Sequence, residues 1–149
     1  MIALEESPAQ SANSSPSVAA IPLFMLAFDH RRSIRGLFGI DGEPTRADAE
    51  RIAAAKLLIY EGLLAARDRI DSGAAALLVD EQYGAAVLDA AREAGMVTAV
   101  ACERSGQAEF QLEYGGEFGA HIERFDPTFV KALVRFNPDG DAELNGRQL

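Results

Sequence analysis

Residues 22–31, with the sequence PLFMLAFDHR, are apolar as far as Phe28 and polar from Asp29 onward. An apolar run without alternation is typical of a strand that is buried on both faces, as in a parallel sheet. Three later runs predict three more strands and are also followed by polar residues: 74–79 (AAALLV), 96–101 (MVTAVA) and 130–136 (VKALVRF).

The segment between the first two strands carries a helical pattern. From Thr45 to about Ile70, apolar residues recur every three or four positions, which predicts an amphipathic helix. Thr45 and Asp48 have the spacing of a helix start signal. Lys56 is interpreted as a surface lysine that lies off the apolar stripe. The glycine-rich residues 36–42, which precede this helix, are expected to form a loop.

A second helix is predicted over residues 85–94, before a glycine. Residues 105–119 are expected to be an irregular connection, 121–125 a helical turn, and Asp141 the cap of a short final helix. Strands that alternate with helices imply parallel βαβ units, and therefore the α/β fold class. Residues 1–20 are rich in Ser, Ala and Pro, and we expect a disordered tail there.

Composition excludes several classes of protein. The 149 residues include 23 acidic and 14 basic side chains, a net charge of −9 that disfavours nucleic acid and anionic membranes as partners. The single cysteine, Cys102, excludes a disulfide framework and a cysteine-rich zinc site. His121 has no second ligand at metal spacing, so neither a metal nor a cofactor is expected. The absence of a secretory leader pattern favours a cytoplasmic location.

The polar residues after the strands are the candidate functional site, because ligands of parallel α/β sheets bind beyond the carboxyl ends of the strands. Asp29, His30 and Arg31 follow the first strand directly. A carboxylate, an imidazole and a guanidinium group can together bind a hydroxylated, anionic substrate. The alternative is a solvated loop with one local ion pair.

The second and third strands are followed by carboxylates. Asp80, together with Glu81, can act as a general acid/base pair, and Tyr83 lies close behind them. Asp80 can equally be the N-terminal cap of the next helix. Glu103 follows the third strand.

The fourth predicted strand carries two cations, Lys131 and Arg135, on one face. A desolvated lysine has a lowered pKa, so its amine can attack a carbonyl group. The alternative is a lysine at the start of the strand that extends its ammonium group to solvent. Glu103 would tune the pKa of Lys131 if the two side chains face each other.

Four blocks of the sequence resemble class I aldolases of the tagatose-bisphosphate type, and most closely the 2-deoxy-5-keto-gluconate-6-phosphate aldolase domains of inositol catabolism. The blocks, in the expected order, are LAFDHR (26–31), LLVDEQYG (77–84), ACERSG (101–106) and VKALVRFNPD (130–139). The resemblance implies a (β/α)₈ barrel, the retro-aldol cleavage of a phosphorylated keto sugar acid, and a lysine that forms a Schiff base with the substrate ketone.

The resemblance also implies roles for individual residues. It makes Asp29 and His30 substrate contacts, Asp80 and Glu103 acids at the barrel mouth, and Lys131 an active-site lysine. The Schiff-base lysine of the tagatose-type enzymes is expected on a sixth strand. Residues 21–149 supply four strands, so the chain is expected to be the first half of a barrel and inactive alone.

A non-catalytic alternative remains open. Half of a barrel leaves open sheet edges, so the chain is then expected to self-associate or to pair with a separate second half. A flavodoxin-like domain is disfavoured, because Gly36, Gly39 and Gly42 are too widely spaced for a dinucleotide-binding loop.

Overall fold

The computed structural model describes residues 22–70 and 74–148. Four parallel strands form one sheet in the order β1-β2-β3-β4. The strands are β1 (Leu23–Ala27), β2 (Ala74–Asp80), β3 (Val97–Ala101) and β4 (Phe129–Lys131). The helices are α1 (Arg32–Leu37), α2 (Arg46–Arg67), α3 (Glu81–Glu93), α4 (Phe118–Phe125) and α5 (Ala142–Arg147). The predicted α/β class is confirmed, while the predicted tail lies outside the described residues.

Helix α2 begins where the sequence predicts. The Thr45 hydroxyl accepts from the Asp48 amide at 3.2 Å, and the Asp48 carboxylate accepts from the Thr45 amide at 3.1 Å. This capping box satisfies amide groups that the first helical turn leaves free. The buried residues of α2 are Ile52, Lys56, Tyr60 and Leu63. The interpretation of Lys56 as a surface lysine is therefore wrong, because the buried stripe passes through it.

Helix α3 begins at Glu81, four residues before the predicted start at position 85. The cause is the side chain of Asp80, which accepts a hydrogen bond from the Tyr83 amide at 2.8 Å and caps the helix. Gly84 then packs against β2 so closely that a Cβ there would lie 2.3 Å from a Val79 methyl group. The backbone of α3 at Gly84 therefore lies directly against the Val79 side chain of β2.

A short helix that was not predicted, α1, precedes the predicted loop and overlaps its first two residues. Its buried residue Ile34 packs in a small apolar cluster with Ile52 of α2 and Tyr83 of α3. Gly39 and Gly42 follow with φ angles of 67° and 87°, which few other residues adopt. The expectation of an irregular loop thus holds only for the residues after Leu37.

Strand β4 is shorter than predicted, because its pairing with β3 ends at Lys131. Residues 132–136 are exposed and belong to no strand. The alternation of faces therefore does not extend to Arg135, and the prediction that Lys131 and Arg135 share one face of a strand is wrong. β1 and β4 are the two edges of the sheet, and each pairs on one side only within the described residues.

The main core lies between one face of the sheet and helices α2, α3 and α4. Leu77 and Val79 of β2 point to this side, together with Val100 of β3. The parallel register aligns Asp80, Ala101 and Lys131 at the same level of three neighbouring strands. The polar residues that follow the strands therefore lie together at the carboxyl-terminal end of the sheet, which is called the carboxyl edge below.

Candidate functional site

Three predicted site residues meet at this edge. The Lys131 ammonium donates to Asp29 Oδ2 at 2.9 Å and to Glu103 Oε1 at 2.8 Å. Asp29 follows β1, Glu103 follows β3, and Lys131 ends β4. The fold thus unites charges that lie up to 102 residues apart in the sequence.

Arg31 extends the cluster on its other side. Its guanidinium contacts Glu103 Oε1 at 2.7 Å and Glu113 Oε2 at 3.2 Å, and it also donates to the Glu103 carbonyl. Arg31 and Glu103 are both buried, with 4% and 6% of their surface exposed. Glu103 Oε2 has no hydrogen-bond partner among the described residues. The buried carboxylate therefore keeps one oxygen free to accept a hydrogen bond.

The surroundings of Lys131 favour a protonated amine. Burial lowers the pKa of Lys131, but the hydrogen bonds and charges of Glu103 and Asp29 outweigh it, so the pKa lies above its usual value. A lysine that attacks a carbonyl needs an unprotonated amine and hence a lowered pKa. Lys131 is therefore an ammonium ion in this environment, and it is suited to donating a hydrogen bond to an oxygen atom of a ligand.

A second ion pair joins β1, β2 and α2. The Lys56 ammonium pairs with Asp80 and donates to the carbonyls of Phe28 at 2.6 Å and His30 at 3.0 Å. Both side chains of the pair are fully buried. Burial lowers the pKa of Lys56, although the nearby Asp80 carboxylate opposes this effect.

This second pair lies beside the site but does not open to a substrate. The two carbonyls that Lys56 binds flank Asp29 in the chain, so the pair fixes the backbone that carries Asp29. Asp80 also caps α3, which confirms the alternative reading of that residue. The geometry gives Asp80 a structural role.

The other predicted site residues lie apart from the Lys131 cluster. The side chain of His30 is exposed. Tyr83 is buried, and its hydroxyl accepts from Arg35 Nε at 3.2 Å. Arg135 is exposed and borders a cleft formed with residues 105–108. The site therefore divides into more distant polar groups and a charged centre, which consists of Asp29, Arg31, Glu103, Glu113 and Lys131.

Two charged residues, Lys56 beside the charged centre and Glu113 within it, were not predicted from the sequence. Lys56 has a signal that was available, because Ile52, Lys56 and Tyr60 recur at intervals of four. Glu113 has none: it lies in the irregular connection, and an isolated antiparallel bridge between Glu103 and Leu112 returns it to the site.

A separate titratable cluster joins α3 to the region before α4. The His121 ring lies 2.7 Å from the Glu81 carboxylate and stacks on Tyr114 at 3.5 Å between ring centroids. Burial, reinforced by the Glu81 charge, raises the pKa of Tyr114 to about 12. These contacts attach α4 to the start of α3.

None of the helices in the described ranges is long and apolar enough to cross a bilayer. Among these residues, no group of three or more His, Cys, Asp or Glu side chains is arranged to hold a metal ion.

The fold and the site define an α/β protein with a charged centre at the carboxyl edge of a parallel sheet. The model of the family described as "Uncharacterized protein conserved in bacteria (DUF2090)" matches residues 11–149. The match spans most of the chain, and the protein belongs to this family. No curated protein and no solved structure matches the chain.

Proposed function

We propose that the chain carries part of the active site of a class I aldolase that cleaves a phosphorylated keto sugar acid. The observation that supports this proposal is the position of Lys131 between Asp29 and Glu103 at the carboxyl ends of three strands. In barrels of parallel strands, the residues at those ends perform the chemistry.

The strand order supports the barrel that this proposal requires. The four strands are parallel and neighbour one another in chain order, which is the arrangement within a (β/α)₈ barrel. Both edge strands have free backbone groups on one side within the described residues. In this proposal the four strands form half of an eight-stranded barrel.

The chemistry assigned to the centre is the retro-aldol step. A base takes the proton of the hydroxyl group that is β to the ketone, the bond between the α and β carbons breaks, and its electron pair forms the enamine of the Schiff base on the substrate. The α carbon then takes up a proton, and hydrolysis of the Schiff base releases the ketone product. Asp29 is the base, and the Lys131 ammonium holds the substrate oxygen. The products from 2-deoxy-5-keto-gluconate 6-phosphate are dihydroxyacetone phosphate and malonate semialdehyde.

The raised pKa of Lys131 affects how the covalent step is assigned. A Schiff base forms when an unprotonated amine attacks the ketone, and water then leaves. Lys56 has a lowered pKa, but it is fully buried and binds three acceptors. The proposal therefore assigns the Schiff base to a lysine in the other half of the barrel.

Replacing the central ammonium tests this proposal. We expect the chain to bind 2-deoxy-5-keto-gluconate 6-phosphate with negligible turnover, and Lys131→Met to weaken binding about tenfold because one charge-assisted hydrogen bond is lost. Isothermal titration calorimetry measures the affinity. Arg92→Met is the control, since Arg92 lies in the last turn of α3, far along the helix from the carboxyl edge.

Two results would overturn the proposal. One is enzyme-like turnover by the wild-type chain alone, which would place a complete site within these residues. The other is an unchanged affinity of Lys131→Met for the substrate.

A non-catalytic module is the second candidate, and exposed apolar residues favour it. Large apolar side chains are more than a third exposed at both edges of the sheet: Phe24, Met25, Leu26, Phe129 and Val130, with Leu133, Val134 and Phe136 beyond β4. Open edges and apolar patches of this kind mark association surfaces. In this case the chain self-associates or pairs with a separate second half.

Light scattering tests whether the chain self-associates. A self-associating module predicts a mass near twice 15.9 kDa for the pure chain, and Met25→Lys in the edge strand β1 returns it toward the monomer. Leu58→Lys is the matched control, because Leu58 is 67% exposed on α2 and does not line the cleft between α2 and β1. A stable monomer of the wild-type chain at all concentrations argues against self-association.

A further inference from the structure

Arginines without a carboxylate partner are grouped around one loop next to the site. In the described ranges, four arginines have no carboxylate within 4 Å: Arg32, Arg69, Arg104 and Arg135. Two of these four, Arg32 and Arg135, border the loop of residues 104–108, and a third, Arg104, is part of it. In a chain of net charge −9, three cations without a carboxylate within 4 Å among the described residues are thus grouped at one loop.

The loop separates two adjoining clefts. One, of about 650 Å³, is lined by Arg32, Arg35 and Arg104. The other, of about 670 Å³, is lined by Arg32 and Arg135. Arg32 and residues 105–107 line both clefts, and Arg104 and Arg135 together line a smaller space at the same loop. The three arginines therefore surround one loop.

The fold orders the backbone around these clefts. Gly106 has a φ of +80°, and a Cβ there would lie 3.0 Å from Arg32 Cδ, so the Arg32 side chain lies against the loop backbone. The Arg104 amide donates to the Gln111 carbonyl at 2.7 Å, while the side chains of Arg32, Arg104 and Arg135 are exposed. A loop backbone that is ordered before binding loses less entropy when the ligand arrives.

The clefts also join the charged centre. Arg31 and Glu113, which contact each other at 3.2 Å, both line the first cleft, and Arg31 contacts Glu103 on its other side. The acidic residues Asp41 and Glu43 also line this cleft. Among the basic groups of the described residues, Arg35 alone lies within 4 Å of the Glu43 carboxylate, at 3.7 Å.

We propose that Arg32, Arg104 and Arg135 bind the phosphoryl group of a sugar phosphate at the 104–108 loop. Guanidinium groups donate two parallel hydrogen bonds to phosphate oxygens, and several around one group neutralise its double charge. That the sugar phosphate is the aldolase substrate rests on the proposed function, whereas the anion site itself does not.

Inorganic phosphate is the probe for this site. Calorimetry at constant ionic strength is expected to show saturable binding to the wild-type chain, weakened about tenfold by Arg32→Gln and by Arg104→Gln. Arg69→Gln is the control, because Arg69 is also free of a carboxylate partner among the described residues but lies at the end of α2, outside both clefts. Arg104→Lys keeps the charge and is expected to lose less affinity than Arg104→Gln.

Each outcome decides the proposal. No binding of phosphate at about 50 mM, or equal weakening in Arg69→Gln, overturns it. Malonate is the second arm: if it binds and phosphate does not, the clefts hold a carboxylate and the phosphoryl assignment is wrong. Unchanged phosphate binding by Lys131→Met, together with weakened substrate binding by that variant, would show that the anion site does not depend on the charged centre.

Discussion

Lys56→Met is expected to lower the free energy of unfolding by about 3–5 kcal/mol, which is the usual cost of breaking a buried ion pair. The loss is large because Asp80, which is fully buried, would remain charged without its cation. Two carbonyls at the end of β1 would also lose their donor. Urea denaturation followed by circular dichroism measures the change.

Two further variants make this result specific. Arg46→Met removes a cation from the same helix, but its pair with Glu50 is exposed, so a change of at most about 0.5 kcal/mol is expected. Asp80→Asn added to Lys56→Met removes the stranded charge, and the double variant is expected to lose less than the sum of the two single variants. A loss below about 1 kcal/mol in Lys56→Met would show that the pair contributes little.

The position of Lys56 explains how stability and function are linked. Its ammonium binds the carbonyls on either side of Asp29 and the carboxylate that caps α3. A change at Lys56 thus alters the backbone of a site residue that it does not touch. We infer that the pair positions Asp29, which makes it a support of the charged centre.

The local features of the fold could be predicted from the sequence. The starts of β1 and α2 follow from an apolar run and from the Thr45 capping box, which involve residues close together in the chain. Asp80 shows the limit of this reasoning. Its sequence context fits both an acid catalyst and a helix cap, and the bonds of its carboxylate to the Tyr83 amide and to Lys56 decide between them.

The charged centre required the tertiary structure. Arg31 and Glu103 are 72 residues apart, and nothing local indicates that they pair. The length of β4 was overestimated for a similar reason, because residues 132–136 are apolar enough for a strand but have no neighbour that continues the ladder. Whether side chains from separate segments meet depends on the register of the sheet.

Glu103→Gln is the second change for which we expect a large effect, a loss of about 3 kcal/mol in the free energy of unfolding. Glu103 Oε1 is shared by two cations, Arg31 at 2.7 Å and Lys131 at 2.8 Å. Without the charge of Glu103, the buried Arg31 would keep Glu113 as its one carboxylate partner among the described residues. Glu109→Gln is the control: its pair with Arg147 is exposed, and a loss of at most about 1 kcal/mol is expected.

The same variant tests the charge state of the centre, since the carboxylate of Glu103 is one of the two that raise the pKa of Lys131. Glu103→Gln is therefore expected to lower that pKa toward the ordinary value for lysine. The chain has two lysines, so ¹³C-labelled lysine gives two NMR signals whose titration can be followed against pH. If the titration of Lys131 is the same in both proteins, then Glu103 does not hold this lysine as an ammonium ion, and the role given to Lys131 in binding substrate oxygen loses its electrostatic basis.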